Sequence, residues 1–118
     1  MRDFETGQND RRLSNVAEMG VVEAVDYANP PRARVRVGEL LTGWLRMGAM
    51  RAGGDKDWAV YEIGEEVLVV SASGDLRHGV IVCAINNGTN PGNAASADIR
   101  RTDFGNGSFV EHNRASGK

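Results

Sequence analysis

The sequence predicts an all-β protein built around a small antiparallel barrel. Five short segments between residues 20 and 86 are rich in β-branched residues and are separated by turn-forming residues. In the segment Arg32–Val37, apolar and charged residues alternate strictly, so Ala33, Val35 and Val37 face a core. The outward positions are Arg32, Arg34 and Arg36. Helical periodicity is confined to a short stretch before residue 20.

That stretch predicts one short helix within an N-terminal arm, residues 1–19. Asn9 or Asp10 can cap its start, and Gly20 can end it. One narrow apolar face is formed by Leu13, Val16 and Ala17. Because this face is too narrow to make a core alone, the helix is expected to dock on a larger surface.

The barrel is predicted over residues 20–86. Its strands are predicted at Val21–Tyr27, Arg32–Val37, Leu40–Leu45, Val67–Val70 and Val80–Ile85. Asn29–Pro31 forms a turn, because proline cannot join the ladder of a central strand. Trp58–Tyr61 follows a charged connection that contains several glycines.

Two of the predicted strands, Val67–Val70 and Val80–Ile85, are apolar on both faces. A lone five-stranded barrel has an interior to fill and an exterior in water. We therefore expect part of the exterior to be covered, either by the helix that carries Leu13 and Val16 or by another copy of the chain.

The C-terminal region is predicted to be a linker, residues 87–98, followed by a last segment, residues 99–118, in which Ile99 to Asn113 is a hairpin candidate. Asn106 and Gly107 are a strong signal for a two-residue turn. An isolated two-stranded hairpin is marginal in water, and this one carries Phe104 and Phe109. The hairpin is therefore expected to need partners.

The sequence offers little for catalysis. The net charge is -2, from 14 basic and 16 acidic residues, and the single cysteine excludes an internal disulfide. Cys83 lies in an apolar run and is expected to be an inert core thiol. The acidic residues Asp55, Asp57, Glu62, Glu65 and Glu66 are interpreted as a solvated face. With no recognisable catalytic motif, we expect a protein that is not an enzyme and that holds no cofactor or metal.

The order and spacing of several segments resemble the phage baseplate assembly protein V family, the central spike of contractile phage tails and tail-like bacteriocins. The matching segments are Arg34–Val37, Leu41–Leu45, Arg51–Gly53, Trp58, Gly64–Val70, Gly74–Asp75, Gly79–Val82 and Asn90–Pro91. The resemblance implies an OB-fold-like barrel, then the start of a trimeric intertwined β-helix. The segment Phe104–Glu111 resembles the first pass of that β-helix.

Some positions depart from the family pattern. Met47 stands where many relatives have a tryptophan, Ala59 replaces an aromatic residue and Tyr61 replaces a proline. Relatives often end in a His-x-His iron site, whereas this sequence has only His112 near its end. The iron site is therefore not carried over, and the resemblance implies either a separate tip-capping protein or a truncated or tipless spike.

The resemblance implies a homotrimer in the baseplate of a virion or phage-tail-like particle, made in the host cytoplasm. It would dock on the tail hub and transmit force for membrane puncture, meeting the target membrane only transiently. The expected trimer or hub contacts are Leu13, Val16, Arg32, Arg34, Arg36, Trp58, Phe104 and Phe109.

The alternative is an OB-fold module that binds single-stranded nucleic acid, which requires a basic groove lined with aromatic residues. Aromatic residues make up only 6% of the chain, so we expect no nucleic-acid partner.

Overall fold

A computed structural model of the protein describes residues 17–71 and 75–118. Within these residues the structure is all-β apart from one turn of 3-10 helix at Leu76–His78. The strands are β1 Ala17–Asp26, β2 Arg32–Val37, β3 Leu40–Leu41, β4 Leu45–Met47, β5 Glu66–Val70, β6 Val80–Ile85, β7 Ile99–Asp103 and β8 Phe109–Asn113. The chain divides into two compact units after Ile85.

The first unit is a closed, OB-fold-like barrel. Its strands follow the order β1-β5-β6-β4-β2, and a further pairing between β1 and β2 closes the ring. In the described part of this unit the pairings are antiparallel except for β4 with β6, which is parallel. Strand β3 extends β2 as a short hairpin.

The barrel interior is aliphatic. Every strand of the ring contributes to it, and Leu76 of the 3-10 helix adds to it from outside the strands. Among the described residues the buried core is Val22, Ala33, Val35, Leu45, Val67, Val69, Leu76 and Ile81. The predicted alternation of β2 is confirmed, because Ala33 and Val35 are fully buried and Val37 packs against the core.

Strand β1 begins earlier than predicted, at Ala17, so the expected helix is wrong at its C-terminal end. Residues from Ala17 to Met19 are paired with β5, so a helix cannot continue to Met19. Here the ladder to β5 overrides a weak local helical pattern. Leu13 and Val16 lie outside the described residues.

The predicted strand Leu40–Leu45 is divided in two around Thr42. The Thr42 hydroxyl accepts a hydrogen bond from the Val35 amide at 2.9 Å and donates one to the Gly43 carbonyl at 2.9 Å. The side chain thus takes the place of a strand partner and is fully buried. Regular pairing resumes only at Leu45.

Trp58–Tyr61 lies in the irregular connection between β4 and β5, where Tyr61 packs against the core. Burial, with smaller contributions from Cys83 and Glu65, raises the pKa of Tyr61. The expected core position of Cys83 needs correction: this residue is half-buried and lies opposite Leu68, on the side of the sheet away from the buried Val67 and Val69.

The second unit, residues 86–118, contains the predicted hairpin of β7 and β8. Its loop is Gly105–Gly107, in which the Gly107 amide donates to the Phe104 carbonyl at 3.0 Å. Gly107 has a φ of +90°, so the turn is a three-residue loop and not the expected two-residue one. In this unit, all of which the structure describes, every residue is partly or fully exposed.

Gly20 allows β1 to approach β2 closely. A Cβ atom at Gly20 would lie 2.6 Å from both the Arg36 carbonyl oxygen and Val35 Cγ1. We predict that Gly20→Ala destabilises the barrel by about 1–3 kcal/mol through overpacking. Urea unfolding followed by circular dichroism measures this change.

The matched control is Gly54→Ala, since a Cβ there meets no atom within 4 Å. Equal stability of the two variants would show that the close approach at Gly20 is not a constraint.

Candidate interaction surfaces

The outward arginines of β2, predicted together as contact residues, differ in their environments. Arg36 forms a two-point ion pair with Glu23, with nitrogen–oxygen distances of 3.1 and 2.9 Å. Arg34 donates from Nε to the Thr42 carbonyl at 2.9 Å, and its guanidinium lies 5.9 Å from the centroid of the Trp44 ring. Both guanidinium groups are thus already engaged within the chain.

Arg32 belongs to a different environment, a basic pocket that the sequence analysis missed. The pocket has a volume of about 250 Å³ and is lined by Arg32, Trp44, Leu45, Arg46, His78 and Gly79. It forms because β4 pairs with both β2 and β6. The parallel pairing of β4 with β6 was not predicted. No local sequence pattern indicates that Arg46 and His78 lie close together, so the pocket could not be found from the sequence.

An outer apolar face lies on the exterior of the barrel, across β1, β5 and β6. It consists of Met19, Val21, Leu68, Val70, Val80 and Val82. Met19 lies opposite Leu68, and Val70 lies opposite Val80, so each pair points to the same side of the sheet. Met19, Val21 and Val82 are 57%, 44% and 50% exposed. The prediction that Val67–Val70 and Val80–Ile85 are apolar on both faces is therefore confirmed.

Trp58 lies in the connection between β4 and β5 and is exposed, as are Met50 and Ile63 in the same connection. An isolated bridge joins Ala52 to Lys56 and gives part of this connection a defined turn. The connection therefore presents large apolar side chains to solvent.

One face of the C-terminal hairpin is organised by Arg101. Its guanidinium contacts Asp103 at 2.6 Å and Glu111 at 3.2 Å, and it lies 3.9 Å from the centroid of the Phe109 ring. The hydrogen bond from Arg101 lowers the pKa of Asp103, and the same bond raises the pKa of Arg101. These contacts explain how a hairpin without buried residues keeps a defined register.

Phe104 and Phe109, both expected as trimer or hub contacts, flank the hairpin loop. Phe109 pairs with Asp103, whereas Phe104 is the residue after Asp103, where side chains alternate to the other face. Phe104 and Val110 are 53% and 67% exposed. The two rings therefore lie on opposite faces of the hairpin.

The described residues contain no group of three or more His, Cys, Asp or Glu side chains that could hold a metal ion. The acidic residues interpreted as a solvated face have separate contacts: Asp55 lies 3.8 Å from Arg51, and Glu65 accepts a hydrogen bond from the Glu62 amide. Among the described residues, no helix is long and apolar enough to cross a membrane.

Comparison with known proteins connects the barrel to a family. The profile of the type VI secretion system and phage-baseplate injector OB domain matches residues 18–85, which cover β1 to β6 almost completely. The chain belongs to the phage baseplate assembly protein V family. Residues 18–85 are therefore the OB domain of this family.

A curated relative in this family is the spike protein of Escherichia phage P2. The two sequences are 32% identical over 102 residues, which are 86% of this chain and 48% of the relative. The chain thus spans about half the length of the curated relative it matches. The similarity extends beyond the barrel, because 102 residues exceed the segment that the profile matches.

The Arg101 cluster predicts a specific pH response. Because the pKa of Asp103 is lowered in the folded state, its ion pair contributes stability above the ordinary aspartate pKa of about 3.9. That contribution is lost as the pH falls through the lowered pKa of Asp103 in the folded state. We expect NMR titration to give Asp103 a lower midpoint than an ordinary aspartate, and Arg101→Gln to raise it.

Arg100→Gln is the control, since Arg100 pairs with His112 on the other face of the hairpin. An Asp103 midpoint that is unchanged by Arg101→Gln would contradict the ion pair.

Proposed function

We propose that three copies of this chain form the central spike of a contractile baseplate, which docks on the tail hub and transmits force for membrane puncture. The outer apolar face carries this proposal. It presents three exposed apolar side chains, Met19 and Val21 on β1 and Val82 on β6, the two strands that flank β5. Monomeric proteins seldom expose large contiguous apolar patches, whereas interaction surfaces often do.

Neighbouring copies of the chain would bury this face in a trimer. Burial of apolar surface contributes about 25 cal/mol per Å², so joining such faces favours association. Leu13 and Val16 are proposed to pack on the barrel or at the same interface. Trp58, exposed in the connection between β4 and β5, is proposed as a contact with a neighbouring copy or with the hub.

The hairpin unit supports the same assembly. Its side chains are all at least partly exposed, and an isolated two-stranded sheet is marginal in water. In an intertwined β-helix, strands of neighbouring copies would pair with the free edges of β7 and β8. Phe104 and Val110, on the face opposite the Arg101 cluster, would then be covered by other copies.

The proposed mechanism is mechanical. A closed barrel and paired strand edges resist unfolding under load, and force transmission requires no bond chemistry, cofactor or metal. Assembly would follow synthesis in the host cytoplasm, and a separate tip-capping protein would complete the spike. Nucleic-acid binding is not favoured, because Arg34 and Arg36 are both engaged within the chain.

The oligomeric state tests this proposal. Light scattering of the purified protein should give about three times the chain mass of 12.7 kDa. We expect Val82→Glu to shift the protein toward lower mass, because it places a charge on the outer apolar face.

Ile63→Glu is the matched control, since Ile63 is 68% exposed and lies in a turn outside that face. A folded monomer at micromolar concentration for the unaltered protein would rule out the trimer.

A second prediction concerns the hairpin. Phe109→Ser removes the ring that packs on Arg101, so we expect the C-terminal unit to loosen while the barrel stays folded. Limited proteolysis with mass spectrometry should show faster cleavage within residues 86–118. His112→Ser, on the opposite face, should leave cleavage unchanged, and equal cleavage of both variants would argue against a stabilising role for the ring.

A further inference from the structure

The basic pocket brings together cationic side chains that are far apart in the sequence. Arg32 at the start of β2 lies directly opposite Arg46 of β4. Arg46 in turn lies beside Val80, the first residue of β6, and His78 comes two residues earlier. One end of the barrel therefore carries two guanidinium groups and an imidazole around a single cavity.

Two residues that line the cavity, Leu45 and Gly79, are packed in the barrel, and one, Trp44, is aromatic. Leu45 is buried in the core, and Gly79 packs so closely that an added Cβ would lie 2.8 Å from Val69 Cγ1. Trp44 is 47% exposed, and its ring is in contact range of the Arg34 guanidinium. The pocket thus combines exposed positive charge with one exposed aromatic ring.

The facing arginines are unfavourable in the isolated chain. Like charges directly opposite each other on paired strands destabilise a sheet. Within the described residues, neither Arg32 nor Arg46 forms an ion pair, in contrast to Arg36 and Glu23. An external anion would remove this repulsion.

The nearby carboxylates compensate this charge only in part. Asp26 lies opposite Arg32 on β1, where its Oδ1 accepts the Ala28 amide at 3.0 Å, and it forms no ion pair with Arg32 among the described residues. Asp75 lies 3.9 Å from the His78 imidazole. One facing carboxylate, Asp26, thus stands against two guanidinium groups, so the pair Arg32 and Arg46 keeps a net positive charge.

We propose that the basic pocket binds a carboxylate side chain from an acidic segment of a partner protein. Guanidinium groups hold carboxylates through paired hydrogen bonds, and the Trp44 ring packs on the aliphatic stem beside the carboxylate. A volume of about 250 Å³ suits one or two side chains. A single aromatic ring does not provide the row of stacking surfaces that single-stranded nucleic acid requires. The site does not depend on trimer formation.

The test uses a hexaglutamate peptide with blocked ends and the Trp58→Phe variant of the full chain, in which Trp44 is the only tryptophan. At low ionic strength, the peptide should change Trp44 fluorescence in a saturable way. Adding Arg32→Gln and Arg46→Gln should weaken binding about tenfold or more, as expected for hydrogen bonds to charged groups.

The control variant carries Arg51→Gln and Arg100→Gln in the same Trp58→Phe parent. These substitutions remove the same charge from exposed positions outside the pocket. The affinity of the control variant for hexaglutamate should change less than threefold. In addition, the pocket variant without peptide should melt at a higher temperature than its parent, because the repulsion between the two arginines is gone. This second measurement also verifies that the pocket variant is folded.

Three results would overturn the proposal. One is the absence of a fluorescence change on adding hexaglutamate. Another is an equal loss of affinity in the control, which would indicate general attraction between opposite charges. The third is tighter binding of oligothymidine than of hexaglutamate, lost in the pocket variant, which would assign the pocket to nucleic acid.

Discussion

The pairing of β1 with two different strands is the constraint on which the barrel depends. Residues 17–21 of β1 pair with β5, and residues 21–26 pair with β2. One ten-residue strand therefore closes a ring that the other pairings leave open. The close approach to β2 at Gly20 and the bulge between Val22 and Ala24 accompany this change of partner. Closure hides the backbone edges of the sheet and encloses the aliphatic core.

Closure also determines what remains on the surface. A five-stranded barrel has room inside for few side chains, so the second apolar face of β5 and β6 must point outward. That face becomes the outer apolar face, whereas the end of the barrel where β4 meets β2 and β6 becomes the basic pocket. The barrel thus carries two surfaces of opposite character, one suited to apolar packing and the other to a charged partner.

The hairpin unit follows a different principle. It has no buried side chain among its residues, and its register is supported by the contacts of Arg101 and by the ion pair of Arg114 with Asp98 at 2.7 Å. Exposed ion pairs contribute little stability individually, so this unit is well defined locally and yet leaves Phe104 and Val110 uncovered. The barrel has a buried aliphatic core, whereas the hairpin unit has none. This difference agrees with the proposal that the barrel folds by itself and that the hairpin unit intertwines with other copies.

The sequence by itself determined the fold class, the family and the core face of β2, because alternation and turn residues act locally along the chain. It also indicated that β5 and β6 are apolar on both sides. Only the tertiary structure decided that β1 begins at Ala17, that Thr42 divides a strand and that Arg32 meets Arg46. These features depend on which strands become neighbours, and non-local pairing leaves no periodic signal in any one segment. The arginines of β2 show the difference: their outward direction followed from alternation, whereas their partners depended on the strands beside them.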